Sequence, residues 1–293
     1  MSSSYQQSEN IQFSSEELLK PLPTKRLLFN NGMTALALIL SAIALIPLAS
    51  IIWEILARGI SGLRFEMFYQ EVTVDGFANA IVGTIIMVAI ASLLSIPAGI
   101  LTGIYLSEVG KRSKLARAVK FVIRILTGVP SIVVGVFAYA VLVFSTKQYS
   151  AVAGGFALAV IMLPIVALTT EEALKLIPTA QRLASAALGG NLFQTTTRVV
   201  VAAAIPGITT GVLLAVARAT GETAPLLFTA LFSFGWSEGL FSPTASLPVL
   251  IYNLYSDPDP QKNALVWTAS IILVGMVLFI SLLSRLFTSK RRK

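Results

Sequence analysis

The 293-residue chain is 55% hydrophobic and 12% charged, and it carries a formal net charge of +8. Soluble domains hold about twice that fraction of charge, so with a mean hydropathy of +0.81 most of this chain has lipid for its solvent. It has no His and no Cys, which excludes a Ser-His-Asp triad, a thiol nucleophile, a disulfide, and imidazole or thiolate metal ligation.

Residues 1–26 are polar and rich in Ser, Gln and Glu, and they read as a solvated cytoplasmic tail. The apolar block 27–56, behind Lys25-Arg26, runs for about 30 residues where a signal h-region has roughly 7 to 15, so an uncleaved anchor helix is expected. Further apolar blocks at 78–106, 121–144, 151–170, 199–228 and 264–287 approach or exceed the ~20 residues that cross a ~30 Å hydrocarbon core. Barrel strands need only about 10 alternating residues each. The expected fold is therefore all-α, a polytopic membrane bundle of about six transmembrane helices. Its permease domain is read as 27–293, with a core at 78–287.

Orientation follows from the cations. Lys25, Arg26, Lys111, Arg112, Lys114, Arg117, Lys175, Arg182, Arg198, Arg285 and the run 290–293 fall on one side of an alternating six-span chain, the side expected to be cytoplasmic, and both termini go with it. The opposite loops hold Glu66, Glu71, Asp75, Glu238, Asp257 and Asp259 with Lys147, while Arg58 and Arg64 depart from the pattern. Trp236, Tyr252, Tyr255 and Trp267 are placed at head-group level on that opposite side. Cations spread as membrane flanks argue for lipid as a partner and against nucleic acid.

Two connections are long. The outer one, 233–262, holds Pro243, Pro248, Pro258 and Pro260, which deny it a long helix and suggest an ordered cap over the outer mouth. The inner one, 171–198, contains Arg182-Leu183-Ala184-Ser185-Ala186-Ala187-Leu188-Gly189. This reads as a short interfacial helix, a compact Ala-rich peg closed by a glycine C-cap. No G-x-x-x-x-G-K-[ST] occurs in the sequence, so any ATP hydrolysis, with its Mg, belongs to a separate subunit, and this chain itself binds no cofactor and is not an enzyme.

The most anomalous stretch is Ala217-Arg218-Ala219-Thr220-Gly221-Glu222-Thr223-Ala224-Pro225, with two charges inside an apolar block. An Arg at mid-membrane costs about 2.5–3.5 kcal/mol on insertion scales and should face a cavity or a partner. Arg218 and Glu222, four apart, share a helix face, either as a self-neutralised structural pair or as an anion-handling site in which the guanidinium fork meets an oxyanion. Thr220 and Thr223 add hydroxyls. Thr127-Gly128-Val129-Pro130-Ser131 breaks the third block, either as a packing kink or as a pore lining that includes Ser131. Gly154-Gly155 reads as close helix packing.

Three stretches resemble the membrane-spanning subunits of type I binding-protein-dependent ABC importers, in their phosphate-transporting branch: residues 128–135, residues 184–189, and above all Arg218 through Gly221-Glu222-Thr223-Ala224-Pro225-Leu226-Leu227-Phe228-Thr229-Ala230. Leu247-Pro248-Val249 is also similar to the family pattern, so the likeness runs from about residue 78 onward. The resemblance implies the type I importer fold in the bacterial cytoplasmic membrane. It implies a heterodimer with a sister permease, PstC, two copies of the ATPase PstB below it, and the phosphate-binding protein PstS above. Residues 184–189 would lie in the coupling helix, Arg218 and Glu222 would match the charged pair associated with phosphate passage, and Glu171 would match a further charged position. Two departures stand out: Leu183-Ala184-Ser185 replaces the usual Glu-Ala-Ala opening, and Leu168 stands where relatives tend to carry an Arg. Inorganic phosphate is thus the expected cargo. Sulfate or molybdate through the same architecture, a stand-alone secondary transporter and a membrane-embedded hydrolase are the alternatives.

Overall fold

The computed structural model describes residues 24–110 and 113–289, without the side chains of residues 260 and 283–289. The tail 1–23, Lys111, Arg112, the run 290–293 and the side chain of Arg285 lie outside the described residues. The chain divides into two compact units, 1–53 and 54–293. The first is occupied, from residue 24 on, by helix α1, Thr24–Gly62, whose best 18-residue window has a mean hydropathy of 2.6.

In the second unit, α2 spans Ala78–Ile104 and continues as a wider π turn, Tyr105–Val109. Helix α3 is Lys114–Gly128, and α4 is Ser131–Thr146. Helix α5 is Ala151–Lys175 and α6 is Thr179–Ala187. Helix α7 runs Leu192–Thr220, followed by the short α8, Ala224–Thr229. Helix α9 is Leu247–Leu254, and α10 is Pro260–Ser289. Every described element is helical, and among the described residues five helices are long and apolar enough to cross a membrane, or six if the bent pair α3 and α4 counts as one.

The core is the seam between α2 and α5. Lipid offers no hydrophobic drive for two apolar helices to associate, so close backbone approach at small residues must supply it. A methyl added to Gly99 would stand 2.8 Å from Val166, one on Gly103 2.6 Å from Thr170, and one on Gly155 2.6 Å from Ile90. The expected packing role of Gly154-Gly155 is met here, Gly154 facing Met87 and Leu226. Met87, Leu158, Met162 and Val166 fill the seam and are buried.

Two blocks read as single spans are broken. The block 121–144 bends by 109° between Gly128 and Ser131. Pro130 lacks an N–H and pushes Val129 into the extended region (φ −72°, ψ 129°), where a helix stops. Helix α3 is the amphipathic half, with Lys114, Arg117, Lys120 and Arg124 on it, and α3 and α4 reach the length and apolarity of a span only together. The block 199–228 begins earlier than expected and ends sooner. Asn191 and Gln194 form a reciprocal capping box (2.8 and 3.1 Å) that starts α7, and Gly221 caps its far end. Arg218 is therefore in the last turn of a helix and Glu222 lies beyond it, not on one continuous helical face.

The outer connection holds no long helix before Pro260, as expected, and Pro248 sits at the start of the short α9; proline suits the first turn, where its N–H is not needed. Asn79 ties this segment to α2. Its Nδ2 donates to the carbonyls of Ser233, Phe234 and Gly235 (3.3, 3.0 and 2.9 Å), and its Oδ1 accepts from the Val72 amide.

Gly103→Leu should push α2 from α5 and cost about 1–3 kcal/mol, the usual price of overpacking, whereas Gly128→Ala, with nothing within 4 Å, should leave stability unchanged. Thermal unfolding in detergent reads both; equal midpoints for the two variants would refute the seam as the stability-limiting contact.

Candidate functional site

Arg218 sits where α7 ends. The negative end of the helix dipole, with its unsatisfied carbonyls, favours a cation in that last turn, and Nε of Arg218 donates to Oε1 of Glu222 at 3.3 Å. This is a single, long contact. The guanidinium side chain remains 57% exposed and Glu222 15%, so the fork of donors is presented outward while the carboxylate backs it. Arg218 lines a recess of about 30 Å³ with Leu126, Thr127, Val129, Ser131, Ile161, Pro164 and Ile165. Pro164 and Ile165 lie in the middle of α5, Ala151–Lys175, which places Arg218 at mid-depth of the bundle. The recess has room for about one or two waters.

The other expected site residues divide. Ser131 joins Arg218 at the recess, as does Thr127, whose hydroxyl donates to the Arg124 carbonyl at 2.7 Å. Thr220 is buried and gives its proton to the Val216 carbonyl (2.8 Å). Thr223 lines a separate, open cleft of about 590 Å³ with Pro248, Ile251, Tyr252, Asn253, Tyr255 and Ser256. Glu171 is 2% exposed and clamped by two cations, Lys120 at 2.5 Å and Lys175. It is not brought to Arg218.

At the basic end of the bundle, α6 is the peg. The amide of Gly190 donates to the Ser185 carbonyl (2.9 Å) and that of Gly189 to Ala186 (3.0 Å). With Gly189 at φ +81°, this is the glycine-closed helix end that was expected. Leu183 and Leu188 of the peg, and Leu192 and Phe193 at the start of α7, are exposed apolar side chains, Leu188 by 90%. Ser185 is turned to Thr195 (2.8 Å). Arg182 also turns inward: it donates to both carboxylate oxygens of Glu108 (2.8 and 3.3 Å) and to the carbonyls of Ile177 and Leu174 (2.5 and 2.9 Å). It is a fastener of the peg, not part of its outer face.

Lys120, Lys175 and Glu108 were not singled out as site residues from the sequence. Glu108 and Arg182 are 74 positions apart, and Lys120 and Glu171 are 51 apart, separations that carry no spacing signal. An acid next to a basic flank, as in Ser107-Glu108, is the only trace. Leu192 and Phe193 were assigned to a loop and so were not counted with the peg.

Residues 95–293 match the family described as "Binding-protein-dependent transport system inner membrane component". This chain belongs to that family. Among curated relatives, the "Phosphate transport system permease protein PstA" of Pasteurella multocida is 37% identical over 92% of this chain and 97% of its own. That of Haemophilus influenzae is 38% identical over 90% and 95%, and PstA 1 of Mycobacterium tuberculosis is 34% identical over 94% of both. Solved structures share the fold of this permease. They include an inward-facing form of the MetNI methionine ABC transporter, at a TM-score of 0.60, 20% identity, and 78% and 99% coverage. A bacterial ABC transporter that imports alginate is similar at a TM-score of 0.65, 15% identity, and 92% and 99% coverage.

Removing one member of a largely buried ion pair leaves the other uncompensated, at about 3–5 kcal/mol when burial is deep. Arg182→Leu should therefore loosen the peg and speed protease cleavage around Gly189-Gly190 several-fold. Cleavage at the parental rate, followed by mass spectrometry, would show that Glu108 does not hold α6.

Proposed function

We propose that this chain is the membrane-spanning permease subunit of an ATP-driven phosphate importer and forms half of its translocation route. The reading rests on one feature above the others: a guanidinium at mid-depth that faces outward from the chain instead of being sealed by its carboxylate. Lipid would not tolerate it there, and a second half supplying the opposite wall explains its exposure. Relatives named as phosphate transport permeases, similar over almost their whole length, supply the cargo.

In this reading the second wall is a sister permease, PstC. Phosphate released by the binding protein PstS enters past the outer segment, and Arg218 offsets part of the cost of stripping water from the anion. Glu222 keeps the guanidinium in register between passages. Ser131 and Thr127 offer hydroxyls at the same recess, and Thr223 offers one at the cleft before it. A PstB dimer, holding ATP and Mg, seats the apolar face of α6 and the start of α7. Leu183 and Leu188 do by apolar contact what the absent glutamate would do by charge. Motion of the peg passes through the Arg182–Glu108 fastening to the end of α2. The basic end and both termini are cytoplasmic, and the chain resides in the bacterial inner membrane, with 27–293 as its permease domain.

Arg218→Leu should leave the complex assembled and able to bind ATP, yet reduce phosphate uptake into proteoliposomes by at least about 100-fold, since a charge-assisted contact to a desolvated anion is lost. Arg218→Lys should also lower uptake, a point charge lacking the fork. Parental uptake by the Leu variant would remove Arg218 from the route.

A further inference from the structure

Arg58 departs from the distribution of the other cations, and the translocation route makes no use of it. It lies in the last turns of α1, where that helix meets the start of α10. Two glycines set the approach: a methyl added to Gly59 would stand 2.7 Å from the Trp267 carbonyl, and one on Gly62 2.9 Å from Oγ1 of Thr268. Beside this contact is an open cleft of about 570 Å³ lined by Glu54, Arg58, Ser61, Asn263 and Trp267 among others, a size that suits a small ligand. Arg58 is held in it from two sides. Its Nε lies 2.5 Å from Oε1 of Glu54, and its guanidinium carbon is 5.1 Å from the centre of the Trp267 ring. These contacts occupy Nε and one face of the fork. Among the described residues the two terminal nitrogens meet no acceptor, and the side chains of Arg58 and Glu54 are 59% and 39% exposed. The setting is the rim of the apolar spans: Leu56 and Ile60 are exposed, and the apolar length of α10 begins at Gln261. Lipid headgroups lie at such a rim. The cleft at Thr223 has a similar volume, yet no charged side chain lines it.

We propose that this cleft binds the headgroup of a zwitterionic phospholipid with a primary amine, a phosphatidylethanolamine, in the leaflet opposite the basic end. The phosphate oxygens take the terminal nitrogens of Arg58, whose fork suits two oxygens at once. The ammonium takes the second oxygen of Glu54, and Trp267 forms the aromatic wall beside them. Charge complementarity selects this lipid. Arg58 and Glu54 cancel, so the site has no net charge with which to hold an anionic lipid, whereas a zwitterion matches both partners. A glycerol headgroup would leave Glu54 without a cation, and a choline headgroup has no N–H to donate to it. Free inorganic phosphate presents the same oxygens to Arg58, but it lacks the amine and the acyl chains that can lie along Leu56 and Ile60. Because Glu54 and Arg58 belong to α1 and Trp267 to α10, a bound headgroup ties the two helix ends together. The inference holds whatever the cargo of the permease.

The full-length chain, with the subunits that copurify, is equilibrated in micelles holding equal amounts of dioleoyl phosphatidylethanolamine, phosphatidylglycerol and phosphatidylcholine, and bound lipid is read by native mass spectrometry. The ethanolamine lipid should be retained about fivefold or more over either of the others, the preference expected for one charge-assisted contact. Glu54→Gln should abolish the preference, and Arg58→Gln should lower retention of all three lipids. A phosphatidylethanolamine carrying a diazirine beside its headgroup should crosslink the unaltered chain within residues 54–62 or 263–267, a readout that needs no variant to fold. Equal retention of the three lipids, unchanged retention and preference in both variants, or crosslinks confined to other residues would each overturn the proposal. Preference for phosphatidylglycerol would assign the cleft to anionic lipid, and displacement of the lipid by excess inorganic phosphate would make it a free-anion site; either result equally overturns it.

Discussion

Two interrupted helices meet at the centre of this protein, and the need to satisfy their freed backbone groups without water organises what surrounds them. In a bilayer an interruption is tolerated only where protein or a wet cavity meets the exposed N–H and C=O groups. At the end of α7 the Gly221 amide returns to the Arg218 carbonyl and the Glu222 amide to that of Ala219 (3.1 and 3.2 Å). After Pro130 the Val133 amide reaches the proline carbonyl (2.9 Å). The two breaks are held beside each other because Gly135 of α4 lies against the backbone of Pro225 in α8, where an added methyl would come within 2.7 Å of its Cα. The recess with Arg218 and Ser131 is the space the two breaks leave between them.

The same segment explains why Arg218 is available. A pair four apart on an unbroken helix has both side chains on one face and self-neutralises readily. Ending the helix at Thr220 sets Glu222 off that face, so it reaches Arg218 through one nitrogen at 3.3 Å and leaves the rest of the fork free. The break converts a candidate structural ion pair into a backed, outward-facing cation.

At the basic end, charge is used in the opposite way. Glu171 and Glu108 are buried and saturated by Lys120, Lys175 and Arg182, and these contacts join α3 to α5 and α6 to α2. The peg is therefore fastened to the long helices by ion pairs and by three carbonyl or carboxylate groups on the Arg182 guanidinium. The two buried acids at the basic end are each paired with cations while the Arg218 guanidinium is under-paired, and the chain separates these arrangements along its length.

Much was legible before any coordinates. The apolar blocks are long enough to cross lipid, and length and hydropathy are local properties, so spans, the glycine-closed peg and the interruption at Gly128-Val129-Pro130 could be read directly from residues 27–287. The depth and setting of Arg218 were legible as an anomaly, because a charge inside an apolar run is conspicuous whatever its neighbours. Whether Pro130 bends a span slightly or turns it by 109°, and whether α7 continues through Gly221, depended on which neighbouring helix accepts the freed groups. The partners of Glu171 and Arg182 were likewise decided only by tertiary packing, since contacts across 51 and 74 positions are set by how α2, α3, α5 and α6 lie together and not by any period in the sequence. What the residues determined alone was the solvent and the presence of an exceptional cation; what the assembled helices decided was which charges are consumed in holding the bundle and which are left to act.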